Sequence, residues 1–316
     1  MWKYLSLLIS GLVTIMATNQ EIHYPVYIAL PQHNIGVLQE YLQDISDPTS
    51  SNYGNWMTQQ QINTLVHPPV DQQDQVVKWL DSFKVSSLKK NGDSVIFTAN
   101  KNVIREMFNI TSLDKESLTG YTVPDHLSHL IYFVEMTSKP INRSSKINKK
   151  SLDDKADDRY FGREPLLRMY NVSDTNLQGN ISGCLVEYQN NSGYTNSDVN
   201  CSQMANSQET NKVNVIVGDN FGTDDESELD VQLMSQAADG IRLWYWNTPY
   251  WLYSFAVDFY HQTDVPDVVS MSWGWAEDSQ CSIIDCTNIT SKQYVERVNN
   301  EYLKIALRGT TILAAS

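Results

Sequence analysis

The chain is short of positive charge. Lys and Arg number 23 against 37 Asp and Glu in 316 residues, for a net charge of -14. That balance argues against a nucleic-acid partner, which would need clustered cations. It suits an acidic compartment, where part of the carboxylates would be protonated. Cysteine is also scarce, at four, and neither of the two closer pairs has C-x-x-C spacing or a nearby histidine, which weighs against a zinc site. The six histidines (23, 33, 67, 126, 129, 261) lie mostly in the front half, and His261 reads as a surface or capping residue at a helix end. Long apolar runs are missing beyond residue 17, so no later segment predicts a membrane span. No internal repeat is evident.

What is present begins with a leader-like order. Met1-Trp2-Lys3 is a short basic start, Tyr4 to Met16 is apolar, and Ala17-Thr18-Asn19 turns polar. Residues 1–17 are therefore expected to be a signal peptide, with a secretory destination, lysosomal or extracellular. In that compartment the Asn-x-Ser/Thr acceptors at Asn109, Asn142, Asn171, Asn180, Asn190, Asn200 and Asn288 become glycosylation candidates. An oxidising route also leads to the expectation of disulfides among Cys184, Cys201, Cys281 and Cys286; short loops favour Cys184–Cys201 and Cys281–Cys286.

Periodicity divides the rest. Residues 22–31, 93–99 and 127–136 read as strands, and 35–45, 58–66, 71–83 and 101–109 as helices. This order predicts a small antiparallel sheet with helices on one face, an α+β unit over residues 18–138. From 139 to 163 apolar periodicity vanishes, and eight of the 25 residues are Lys or Arg. That stretch is read as a basic linker, either a solvated connection or a cleavable strap held to an acidic body. From residue 164 to 316, apolar strands at 183–188, 213–219, 266–275 and 310–316 alternate with helices near 226–239, 251–262 and 291–308. Such alternation predicts an α/β doubly wound parallel sheet, with chemistry at the carboxyl ends of its strands, after Asp219 and Gly274.

One of those turns carries "ESELDVQ", three acids in five positions. On a helix Glu226 and Asp230 share a face, whereas Glu228 points away. Acids in a first helical turn complement the macrodipole and need no other purpose. Two close carboxylates also raise each other's proton affinity, which suits a general base and an orienting partner.

"ESELDVQLMSQAADG" resembles the Glu-x-x-x-Asp helix of the sedolisin family, the serine-carboxyl peptidases. "PDVVSMSWGWAEDS" resembles that family's substrate-binding strand, and "YVERVNNEYLKIALRGTTILAAS" its next helix and strand. In the front half, "ISDPTSSNYGNWMTQQQI" and "VVKWL" resemble its activation propeptide, and "LLRMYNV" the start of the mature enzyme; the likeness leans towards the tripeptidyl peptidase members. The resemblance implies a ferredoxin-like activation domain ahead of a subtilisin-like sheet, and a Ser-Glu-Asp triad with Glu226 as base and Asp230 behind it. It implies substrate contacts at Ser272, Trp273, Gly274 and, in the acidic pair Glu277-Asp278, at Asp278. Peptide or protein substrates and inhibition by the chain's own propeptide follow from it too. So does calcium, though no ligands for it are expected in this chain.

A glutamate base fits an acidic organelle, since histidine, with a reference pKa of about 6.5, would be protonated there, whereas glutamate titrates near 4.3. The family's Gly-Asp-Ser-Gly and Ser-Gly-Thr-Ser segments do not occur in residues 1–316. The expectation is a peptidase precursor truncated before its nucleophile and inactive as it stands. The alternative is a non-catalytic inhibitor or binding protein built on the propeptide-like half. The seven Trp and Tyr residues between 244 and 260 suggest either an aromatic cleft wall or ordinary core.

Overall fold

The computed structural model describes residues 21–112, 118–140, 162–173, 181–189, 192–208 and 212–315. The leader, most of the basic linker, and Asn142, Asn180 and Asn190 lie outside these. Of the other glycosylation candidates, Asn109, Asn171 and Asn288 are exposed and Asn200 is partly exposed on a helix.

The front unit runs β1 (His23–Ala29), α1 (Ile35–Ser46), α2 (Gln59–Val66), α3 (Val70–Leu80), β2 (Ser86–Lys90), β3 (Ser94–Asn100), α4 (Lys101–Met107) and β4 (Phe133–Glu135). Its strands pair antiparallel in the order β2-β3-β1-β4, which is the ferredoxin-like arrangement. The strand expected over 127–136 shrinks to three residues, because Asp125–Leu127 coil into a 3₁₀ turn.

Both faces of this sheet are covered, not one. Side chains alternate along β1. Val26 and Ile28 join Val95 and Phe97 in a core beneath α3 and α4. Tyr27 and Ala29 join Ile96 and Phe133 in a second cluster that continues into the rear half of the chain.

After α5 (Arg163–Met169), the rear unit alternates β5 (Ser182–Tyr188), α6 (Asn196–Ala205), β6 (Val215–Val217), α7 (Asp225–Ala237), β7 (Arg242–Thr248), α8 (Leu252–Tyr260), β8 (Val268–Met271), α9 (Ser291–Leu307) and β9 (Thr311–Ala314). The strands form one parallel sheet in the order β6-β7-β5-β8-β9. β5, at its centre, is buried at every position. Leu185 packs with Val199 of α6 and Val231 of α7 on one face, while Cys184, Val186 and Tyr188 meet α8 and α9 on the other. β7 was not expected as a strand: its residues open the aromatic stretch that periodicity assigned in part to a helix. The aromatics are core, with Trp246, Trp251, Tyr245, Tyr253 and Tyr260 no more than 2% exposed.

Cys281 and Cys286 are joined, as expected. Cys184 and Cys201 are not. Cys184 points from the central strand into apolar core, and Cys201 is exposed on α6. Proximity in sequence misled here, because strand and helix present their thiols to different environments.

The two units meet over α8 and α9 through a buried ionic knot. Arg297, Glu301 and Lys304 share one face of α9, and Asp93 enters from the turn before β3; all four side chains are at most 3% exposed. Lys304 Nζ lies 2.7 Å from Asp93 Oδ2 and 2.6 Å from Glu301 Oε2. Arg297 Nε lies 2.8 Å from Glu301 Oε1, and its other nitrogens donate to the Asp93 and Leu30 carbonyls. Gln32 donates to both Asp93 and Glu301. Burial would push the Asp93 carboxyl up, but the Lys304 ammonium and the Arg297 guanidinium outweigh it and hold it well below the usual carboxylate range.

A second carboxylate crosses the same interface. Glu135 of β4 accepts from Ser254 N at 3.0 Å and Tyr294 Oη at 2.9 Å. It thus caps the N-terminus of α8, whose own N-cap residue, Trp251, supplies no side-chain bond. Burial pushes the Glu135 carboxyl up to about 7 despite those bonds. Asp258 of α8, bonded by Tyr27 Oη at 2.6 Å, is likewise pushed up by burial to about 6. His261 behaves oppositely. Half-buried with its Nδ1 3.0 Å from Gln59 Nε2, it is pulled down to about 3 by burial and by Lys304, against the pull of Asp93. It is an interface residue, not a surface one.

Two predictions follow from the signs. Lys304→Met strands the Asp93 carboxylate in the interior, and its expected cost is about 3–5 kcal/mol in denaturant unfolding. A raised carboxyl pKa means stability lost as pH climbs from 4.5 through about 7, an order of about 3 kcal/mol for Glu135. A depressed histidine pKa means stability lost as pH falls below 6.5 towards about 3. The expected stability profile is therefore a dome. Glu135→Gln should lift its alkaline limb, measured by thermal melts from pH 4 to 8, and leave the acid limb in place.

Candidate active site

The site is built where the rear sheet's strands end. The chain leaves β6 through Gly218, whose φ of +79° and close approach to the Asn247 carbonyl, 2.0 Å from where a Cβ would stand, admit no side chain. Asn247, at the end of β7, ties the turn down by donating to the Asp219 and Ser192 carbonyls. Asp224 then starts α7. Its Oδ1 accepts from the Glu226 and Ser227 amides, both at 3.1 Å, and its Oδ2 from Ser227 Oγ and Gly193 N.

The three acids of that helix have different surroundings. Glu228 accepts from Thr195 N at 2.6 Å, fastening α7 to the start of α6. Asp230 accepts from Ser272 Oγ at 2.8 Å, just past β8. Glu226 stands one turn earlier on the same face, partly exposed and beside the helix's positive end. Asp230 and Ser272 are thus brought together, with Trp273 and Gly274 next in line. Trp273 is buried, and Gly274 is exposed.

Trp273 Nε1 donates at 2.8 Å to Glu187 Oε2, and Glu187 is fully buried at the end of β5. Sequence reasoning passed over Glu187. A signal was there: an acid within the otherwise apolar "GCLVEY" has to be paired if it is buried. Trp273 packs edge to face on Tyr188 and Trp251, which are tilted against each other, and the three rings enclose this pair. Three carboxylates therefore lie on adjoining elements at one sheet edge.

Asp278 does not join them. It and Glu277 are exposed on the 3₁₀ turn Glu277–Ser282, and Asp278 Oδ1 accepts from the neighbouring Ser279 Oγ. Among the described residues, no group of three or more His, Cys, Asp or Glu is placed to hold a metal ion. No described helix is long and apolar enough to cross a membrane.

Residues 11–139 match the family described as the pro-kumamolisin activation domain. Over 92% of its length the chain is 33% identical to physarolisin of Physarum polycephalum, covering 53% of that protein. It is 25% identical to tripeptidyl-peptidase 1 of Dictyostelium discoideum over 90% of the chain and 55% of the relative. For tripeptidyl-peptidase 1 of Mus musculus the identity is 25%, over 97% of the chain and 58% of the relative. The chain thus spans a little over half the length of these relatives. The activation-domain match in front and the likeness to these peptidases along nearly the whole chain agree, and the chain belongs to the sedolisin family.

Proposed function

We propose that these residues form the precursor half of an acid-acting serine-carboxyl peptidase, with the front unit docked as its activation domain. The observation that carries the reading is the bond between Ser272 Oγ and Asp230 Oδ1, which fixes the Glu226–Asp230 face of α7 against the strand that continues past β8. Glu226 would accept the proton of a serine hydroxyl as it attacks a peptide carbonyl, and would return it to the leaving amine. Water then hydrolyses the acyl-enzyme ester. Asp230 would orient Glu226 and favour proton uptake by it. Glu187, held by Trp273, is a positioning residue behind them.

Ser272 to Gly274 would meet a peptide or protein substrate through backbone groups. The hydroxyl nucleophile is assigned by resemblance to a Ser-Gly-Thr-Ser segment, which residues 1–316 lack. The resemblance accommodates either tripeptidyl-peptidase or endopeptidase action on the peptide. Secretory or lysosomal placement, glycosylation and release by cleavage within 139–163 belong to the same proposal. Calcium enters only through the resemblance; the described residues offer it no cluster, and no step is assigned to it.

The test is a chimera that continues residues 1–316 with the C-terminal part of the Physarum polycephalum relative. Glu226→Gln should lower turnover of a peptide substrate at pH 4 by about 10²–10⁴-fold. Undiminished turnover would overturn the assignment. Within the chain as it stands, Trp273→Phe removes a buried donor from Glu187. The expected loss is about 1–3 kcal/mol in denaturant unfolding.

A further inference from the structure

The disulfide Cys281–Cys286 closes a very short loop, so it removes little entropy from the unfolded chain. Its effect is local shape, and the loop it shapes meets the activation domain at three of its four inner positions, Ile283, Ile284 and Asp285. The Ile283 carbonyl accepts from Lys139 N at 2.7 Å. Ile284 forms an antiparallel bridge with Ser138. Asp285 Oδ2 accepts from Gly120 N at 2.7 Å, while its Oδ1 is held by Thr287 N and Oγ1. From the other side Gln189, two residues past Glu187, donates to the Lys139 carbonyl at 2.7 Å.

We propose that the disulfide-closed loop 281–286 is a catch that holds the outgoing segment of the activation domain on the functional edge of the rear sheet, and that it recognises backbone rather than side chains. At Ser138 and Lys139, the pinned residues, the loop and Gln189 bond mainly to main-chain groups, and the Lys139 side chain is in none of these bonds. Pro140 follows and disfavours helical backbone at Lys139, so the segment arrives extended.

The catch is joined to the cleft wall. The Gln280 carbonyl accepts from Ile283 N and Ile284 N, and its side-chain amide donates to the Trp275 and Ala276 carbonyls while accepting from Trp251 Nε1. Release of residues 138–139 thus loosens the loop that is stapled beside Trp275. The catch stands on the docking geometry alone, so its failure would leave the assignment of Glu226 and Asp230 untouched.

Amide hydrogen exchange on the full chain tests it, with the β1–β3 ladder amides as the folding control. In Cys281→Ser/Cys286→Ser the Gly120 and Lys139 amides should exchange at least tenfold faster while the ladder stays protected. Asp285→Ala sets the rate of a released Gly120. Backbone recognition is tested with the disulfide intact. Lys139→Pro, which removes the donor to Ile283, should speed Gly120 exchange at least tenfold, and Lys139→Ala should not. Unchanged protection in the cysteine variant, or equal effects of Lys139→Pro and Lys139→Ala, would overturn the catch. If the cysteine variant does not fold, the Lys139 pair decides.

Discussion

The fold of this chain depends on four charges taken out of water together. Asp93 of the front unit meets Arg297, Glu301 and Lys304 of α9, and every attraction in the knot offsets a large desolvation cost. Such a cluster contributes little net strength. It selects one register, because any other docking of the front sheet on α8 and α9 would bury an unpaired charge. The apolar contacts of Tyr27, Ala29, Ile96 and Phe133 supply the adhesion, and the knot supplies the alignment.

α9 links that alignment to the chemistry. The helix that carries the knot leads directly into β9, which pairs with β8, and β8 delivers Ser272 to Asp230. The activation domain also completes α8 by capping it with Glu135. Docking and the site's geometry therefore rest on the same two helices. Titration pulls this interface both ways. Glu135 and Asp258 favour docking when protonated, and His261 favours it when neutral, because burial raises the first two and lowers the last. Acid alone is then a graded influence, and contacts such as the catch at 281–286 share in the hold.

Three acids within five residues show how location separates roles. Glu228 serves the neighbouring helix, Asp230 meets β8, and Glu226 is left towards the open edge. The spacing already divided Glu226 and Asp230 from Glu228, because a 3.6-residue period dictates which side chains share a face. The buried partner Glu187 was not found this way, because its neighbour Trp273 is 86 residues distant in sequence.

By itself the sequence determined the elements with strong periodicity: α1 to α4 and α7 to α9, β1, β3, β5, β8, and the parallel character of the rear sheet. Capping, helical spacing and continuous apolar runs are local, so each segment carries its own record of them. It also determined the Glu226–Asp230 face and the Cys281–Cys286 closure. Only the tertiary structure decided that β7 is a strand, since nine aromatics in the seventeen residues 244–260 have no single period. It likewise decided that Cys184 and Cys201 stay apart, that both faces of the front sheet are covered, and that Asp93, Glu135 and Glu187 are buried with partners. Those outcomes depend on which distant groups meet, and a charged residue reads alike in sequence whether water or a guanidinium awaits it.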